Sequence, residues 1–107
     1  TAFLINNAKR NNKKICAVGT TVMRTLETSV STQKEVIPFD GWTNIFLFPP
    51  YNFQIANCML TNFHLPKSSL MMQVAAFTGL DLLKIAYKEG LKKKYNWHTY
   101  GDAMLIL

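Results

Sequence analysis

The chain has 107 residues, 49% of them hydrophobic and 17% charged, with a formal net charge of +6 from twelve Lys and Arg against six Asp and Glu. That length holds one small domain with one core, and that composition excludes a disordered tail. The basic excess favours polyanionic partners without specifying one.

Phe3, Leu4, Ile5 and Ala8 precede a polar, basic stretch ending at Lys14, the pattern of the last turns of a helix. Ile15 to Val18 is a short apolar run closed by Gly19 and reads as a buried strand. Thr20 and Thr21 then open a helix that carries Val22, Met23 and Leu26 to about Ser29. Residues 30 to 44 are mixed and polar, and Pro38, Asp40 and Gly41 mark a loop. Ile45 to Phe48 reads as a second strand, stopped by Pro49 and Pro50, and Cys58 to Leu60 as a third. Ser68 or Ser69 caps the next helix, whose run from Leu70 to Phe77 is apolar almost all round and is expected to be deeply buried. Gly79 breaks it.

Asp81 starts a last amphipathic helix, with Leu82, Leu83, Ile85, Ala86 and Leu91 against Lys84, Lys88, Glu89 and Lys92. After the aromatics from Tyr95, a turn at Tyr100–Asp102 leads to Ala103–Leu107, a short strand or a helical turn. The order helix–strand–helix–strand–strand–helix–helix gives an α/β fold with a partly parallel sheet flanked by helices. Residues 1–107 read as a single α/β domain or domain fragment, the latter because the chain begins without Met inside an apparent helix.

Nine of the twelve basic residues fall into two clusters: Lys9, Arg10, Lys13 and Lys14, then Lys84, Lys88, Lys92, Lys93 and Lys94. They are solvated helix faces, or one of them is a sequence-blind grip on an RNA backbone. Cys16 and Cys58 form neither a CxxC pair nor a disulfide framework, so buried reduced thiols in a cytoplasmic protein are expected. No signal-peptide pattern and no apolar run of membrane-spanning length is present, so no membrane partner is expected.

Three stretches combine loop character with reactive side chains. Gly19, Thr20 and Thr21, entering a helix with Arg24 one turn along, offer N–H groups, hydroxyls and a guanidinium to an anion; an ordinary capped helix with an exposed Arg has the same residues. Thr61, Asn62, His64, Lys67, Ser68 and Ser69 crowd the loop after a strand, where open α/β sheets place ligands. There His64 is able to move a proton near neutral pH and Lys67 to hold an anion, or they are a satisfied loop histidine and a solvated lysine. Tyr100, Gly101 and Asp102 put a carboxylate after a turn, fit to bind ribose hydroxyls, to act as a base or to cap the next turn. His64 and His98 are two scattered imidazoles, so no metal is expected, and neither a Walker loop nor a GxGxxG fingerprint occurs.

Three of these stretches carry a family resemblance. Ala17-Val18-Gly19-Thr20-Thr21-Val22-Met23-Arg24-Thr25-Leu26-Glu27 resembles the AVGTTxxRTLE stretch of the bacterial S-adenosylmethionine:tRNA ribosyltransferase-isomerases of queuosine biosynthesis. Thr61-Asn62-Phe63-His64-Leu65-Pro66-Lys67-Ser68 resembles their TNFHLPKS signature, and Tyr100-Gly101-Asp102-Ala103-Met104-Leu105 their closing YGDAML. The match runs from Ala17 to Leu105 and corresponds to the C-terminal portion of the family's enzyme. It departs from the family at Pro50, where Gly is usual, at Asn57, where an acidic residue is common, at Ser69, where Thr is common, and at His98-Thr99.

The resemblance implies part of a larger α/β domain, without the β-barrel domain that the family inserts upstream. It implies transfer and isomerisation of the ribosyl unit of S-adenosylmethionine onto 7-aminomethyl-7-deazaguanine at a tRNA wobble position, giving epoxyqueuosine. S-adenosylmethionine is then the ribosyl donor and tRNA the partner. His64, Lys67 and Asp102 become the catalytic candidates. Gly19, Thr20, Thr21, Arg24, Thr61, Asn62 and Tyr100 become the candidates for holding the donor. The 107 residues alone are expected to turn over little, since sites in such folds draw on several strand ends. The competing reading is a non-catalytic truncated relative that binds tRNA or a protein partner.

Overall fold

A computed structural model describes all residues, Thr1–Leu107. Its sheet begins with β1 (Cys16–Val18), which lies parallel to β2 (Cys58–Asn62) with Cys16 opposite Cys58 and Val18 opposite Leu60. Beyond Val18 the ladder continues by one bond, Gly19 N–H to the Leu60 carbonyl at 2.8 Å. β3 (Ala103–Ile106) runs antiparallel on the other side of β2, so the order is β1-β2-β3 and the sheet is mixed. The partly parallel α/β architecture expected from the sequence is therefore present, and the tail resolves as a strand.

Four helices accompany the sheet: α1 (Ala2–Arg10), α2 (Thr20–Thr28), α3 (Ser69–Thr78) and α4 (Leu80–Lys92). α1 stops four residues short of Lys14 because Asn11 leaves the helical pattern and Asn12 takes the left-handed conformation, φ 52. α3 and α4 meet at 116° at Gly79 (φ 83), which caps one helix and starts the other. The core is built where these elements face one another. Ala17, Met23, Leu26, Met59, Val74, Leu83 and Tyr87 are all buried there, drawn from both parallel strands and three helices.

Four expectations are corrected. Ile45–Phe48 is not a strand; the order is helix–strand–helix–strand–helix–helix–strand. The run does alternate, with Leu47 buried and Phe46 and Phe48 about half exposed. It lies over α2, where Thr43 bonds Thr28 and Arg24, so no strand edge is there to pair with it. α3 buries only Gln73, Val74 and Ala75, since one side of it lines a cavity rather than the core. Cys16 is exposed and only Cys58 is buried, because β1 is an edge strand whose pleat turns Ala17 inward and Cys16 and Val18 outward. The third strand is longer than its apolar run: it reaches Asn62, placing Thr61 and Asn62 on β2 rather than in the loop.

Candidate active site at the carboxyl ends of the parallel strands

β1 and β2 end side by side, so the segments that follow them, Gly19–Thr21 and Phe63–Ser68, converge at one edge of the sheet. Carboxyl ends of parallel strands are where open α/β sheets place ligands. Gly19 has φ 96 and ψ 152, a conformation open to glycine. A Cβ there would meet nothing within 4 Å, so the demand is conformational rather than steric. As N-cap it offers no side chain, and the first turn of α2 keeps N–H groups that no side-chain cap takes up. These are the positive end of the helix. Gln73 of α3 donates from Nε2 to the Thr20 carbonyl at 2.9 Å, tying α3 to this turn from a buried position.

On the β2 side, the His64 ring is held through Nε2, 2.8 Å from the hydroxyl of buried Thr61. Its backbone is clasped by one group. The Tyr87 hydroxyl of α4 accepts from the His64 N–H at 2.7 Å and donates to the His64 carbonyl at 3.0 Å. Tyr87 is in turn wedged edge-on against Phe63 and Trp97, with ring centroids 5.3 and 5.0 Å away. Burial lowers the His64 pKa from its ordinary value, and the positive charge of His98 lowers it further. Burial raises the phenol pKa of Tyr87, so its hydroxyl stays protonated and able to donate. His64 is thus a neutral, oriented imidazole near neutral pH, with Nδ1 free of intramolecular bonds.

Two adjoining cavities open here. One, of about 420 Å³, is lined by Thr20, Thr21, Asn62, His64, Ser68, His98 and Thr99, among others. The second, of about 240 Å³, shares Thr20, Thr21 and Leu70 with it and adds Arg24, Thr43, Phe46, Ser69 and Gln73. The first volume lies in the range of small-molecule sites, and the second is smaller, a side extension of it. Polar groups at the first cavity and an apolar pair, Phe46 and Leu47, at the second suit a ligand that is polar at one end and flat or apolar at the other.

The structure brings together Gly19, Thr20, Thr21, Thr61, Asn62 and His64. Arg24 faces the second cavity and spends one N–H on the Thr43 carbonyl at 3.2 Å. Lys67 (φ 64) is exposed on the turn beyond His64, and Tyr100 is fully exposed; neither lines the two cavities. The Asp102 carboxylate accepts the Asn96 N–H at 2.8 Å while its own N–H donates to the Asn96 carbonyl at 2.9 Å. Its carbonyl takes the Phe63 N–H, and Asn62 Nδ2 donates to the Gly101 carbonyl at 3.2 Å. This places Asp102 in a knot that fastens residues 96–102 to the end of β2. Gly101 is required in that knot, because a Cβ would lie 2.4 Å from the Asn96 carbonyl oxygen.

Several contributors escaped the sequence reading. His98 and Thr99 complete the first cavity, so the two imidazoles share one site instead of being scattered. Their signal was their place just ahead of Tyr100-Gly101-Asp102. Glu27, the last residue of the first motif, is buried and faces away from both cavities. It accepts from the Tyr51 hydroxyl at 3.0 Å, the Gln54 N–H at 3.1 Å and the Ile55 N–H at 3.2 Å. Burial, and then the Glu27 charge, push the Tyr51 phenol up to about 12. Asn57 accepts the Ile15 N–H through Oδ1 at 2.8 Å and so aligns the start of β1.

No grouping of three or more His, Cys, Asp or Glu side chains is placed to hold a metal ion. A family model described as queuosine biosynthesis protein matches residues 1–106. An S-adenosylmethionine:tRNA ribosyltransferase-isomerase of Phocaeicola vulgatus is 62% identical over 104 residues, 97% of this chain and 30% of that protein. The protein of that name from Flavobacterium psychrophilum is 57% identical over the same shares. The crystal structure of an S-adenosylmethionine tRNA ribosyltransferase from Thermotoga maritima superposes with a TM-score of 0.86 at 42% identity, covering 96% of this chain and 36% of that one. The chain therefore spans about 30% of the length of the curated relatives it matches. With nearly every residue matched, it belongs to the queuosine biosynthesis protein family.

Proposed function

We propose that this chain forms one part of the active site of a tRNA-modifying enzyme of queuosine biosynthesis. In this reading the enzyme transfers and isomerises the ribosyl unit of S-adenosylmethionine onto 7-aminomethyl-7-deazaguanine at the wobble position, giving epoxyqueuosine in the cytoplasm. The observation that carries it is the meeting of an oriented, neutral His64 with the uncapped start of α2 across one polar cavity. The names of the relatives point the same way.

The sulfonium of S-adenosylmethionine supplies an acidified neighbouring C–H and a ribosyl group ready to be transferred. Around it the residues of this chain divide the work. In the tautomer that carries its proton on Nε2, facing the Thr61 hydroxyl, His64 receives a proton on Nδ1 and returns one later in the reaction. The first-turn N–H groups at Thr20 and Thr21, with Arg24, hold a carboxylate or phosphate. Asn62 and the Asp102 knot keep the end of β2 in register with residues 96–102, so that His98 and Thr99 stay on the cavity wall. Lys67 and Tyr100, both exposed, are set to meet the RNA.

His64→Ala in the full-length protein, assayed for adenine release with tRNA present, is expected to slow turnover by about 100-fold or more while S-adenosylmethionine still binds. Near-normal turnover would remove the proton-transfer role.

A further inference from the structure

A second surface lies on the other side of the His64 loop. It is a groove of about 570 Å³ floored by Leu65, Pro66, Leu91 and Trp97, with Lys84 and Lys88 along its side. Its surface is almost entirely apolar, Lys84 and Lys88 lining it with their aliphatic stems and carrying their ammonium groups at its margin. Lys84, Lys88 and Lys92 stand four residues apart, on one face of α4. None of them makes an ion pair or side-chain hydrogen bond within the chain. The other basic cluster is different: Arg10 pairs with Glu35 at 3.7 Å and Lys9 bonds the Lys34 carbonyl, so part of it is spent docking α1 on residues 34–36. From Leu80 onward, the helix and the residues just after it hold five lysines against Asp81 and Glu89.

An apolar, aromatic-walled slot with unspent cations beside it fits a chain that carries flat bases and phosphates together. The slot adjoins the candidate active site, since Leu65 lines both it and the His64 cavity. We propose that this groove seats the unpaired nucleotides next to the reacting base of the RNA substrate, with their bases against Leu65, Leu91 and Trp97 and their phosphates on Lys84 and Lys88. The inference rests on the function proposed above for the neighbouring cavity, and it adds where the RNA lies. A single strand entering the cavity at His64 passes over Leu65 into the groove. Lysine contacts to phosphate position the strand without reading its sequence.

The test uses the full-length protein, a tRNA anticodon stem-loop, and binding measured across a range of salt concentrations. Lys84→Glu with Lys88→Glu is expected to weaken binding about tenfold or more and to flatten the dependence of log K on log salt by about 1.4, two phosphate contacts on a single strand. Both lysines are exposed, so the fold is not at risk, and unchanged S-adenosylmethionine binding checks this. Leu91→Ala is expected to cost severalfold with no change in slope, because Leu91 is an exposed apolar contact. Equal affinity and slope for the double variant and the wild type would overturn the groove and leave its lysines to an acidic protein surface. Full affinity for Leu91→Ala, together with equal binding of polyphosphate, would overturn the seating of bases. A wild-type protein that binds no tRNA would instead bring down the functional reading itself.

Discussion

Glu27, buried near the end of α2, and His64, half-buried on the loop that faces the start of α2 across a cavity, are used in opposite ways. Glu27 spends both carboxylate oxygens inside the chain, on one phenol and two backbone N–H groups of residues 51–55. His64 is fixed from three directions, by Thr61 on the ring and by Tyr87 on both backbone groups, yet keeps one ring nitrogen unspent in a residue that lines a cavity. Full satisfaction marks a structural clamp, and fixation with one valence left over marks a reactive group. The same division runs through the first motif: Gly19-Thr20-Thr21 opens onto the cavity, while Leu26 and Glu27, two turns on, hold the core and a loop. A shared motif is therefore not a list of site residues.

The largest effect is expected at the clamp. Glu27→Ala removes the acceptor of Tyr51, Gln54 and Ile55 at once, and a buried donor left unmade costs on the order of 1–3 kcal/mol. We expect a loss of about 3 kcal/mol in unfolding free energy, measured by denaturant titration of the full-length protein, with Glu27→Gln losing about half as much. His64→Ala leaves only the Thr61 hydroxyl without its partner, beside an open cavity, and should cost about 1 kcal/mol or less. If the two substitutions destabilise equally, the distinction between clamp and reactive group fails.

Tyr87→Phe sharpens the other side. It keeps the ring packed on Phe63 and Trp97 but deletes the hydroxyl that clasps His64. The expected stability loss is about 1 kcal/mol, one part-buried hydroxyl with two partners. The expected kinetic loss is about tenfold in kcat with KM little changed, because a loosened imidazole affects the transition state more than ground-state binding. A change confined to KM would mean that Tyr87 shapes the pocket rather than the base.

How much of this could be read beforehand depends on sequence separation. The strand–Gly–Thr–helix unit is a local pattern and stands where the residues put it, while the loop after β2 begins two residues later than its polar residues indicate, because β3 pairs with β2 as far as Asn62. Ile45–Phe48 shows the limit of locality: its alternation is real, yet pairing needs a neighbouring strand edge, and Thr43 anchors the run on α2 instead. The clamp on Glu27 spans 24 to 28 residues and the clasp on His64 spans 23, so neither leaves a trace in spacing. Asp102 shows how a reactive side chain deceives. Its carboxylate, legible as a base or ribose ligand, is engaged by the Asn96 N–H and fastens a loop.

The smallest expected effect is on pH dependence, and it separates the two causes that act on His64. Burial is the larger and the His98 charge the smaller, and both disfavour the imidazolium. A base works in its neutral form, so the acid limb of kcat/KM should lie below the ordinary histidine value of about 6.5. Stability carries the same sign. The folded chain binds this proton less readily than the unfolded chain, so stability is lost as pH falls from about 6.5 through the depressed folded pKa and is regained as pH rises. His98→Gln removes only the charge. The acid limb should then move upward without reaching the ordinary value, and the loss of stability below about pH 6.5 should become shallower, both measured on the full-length protein. If the limb returns all the way to the ordinary value, the charge of His98 outweighs burial, and the cavity around His64 is wetter than the hydrogen bonds to Thr61 and Tyr87 imply.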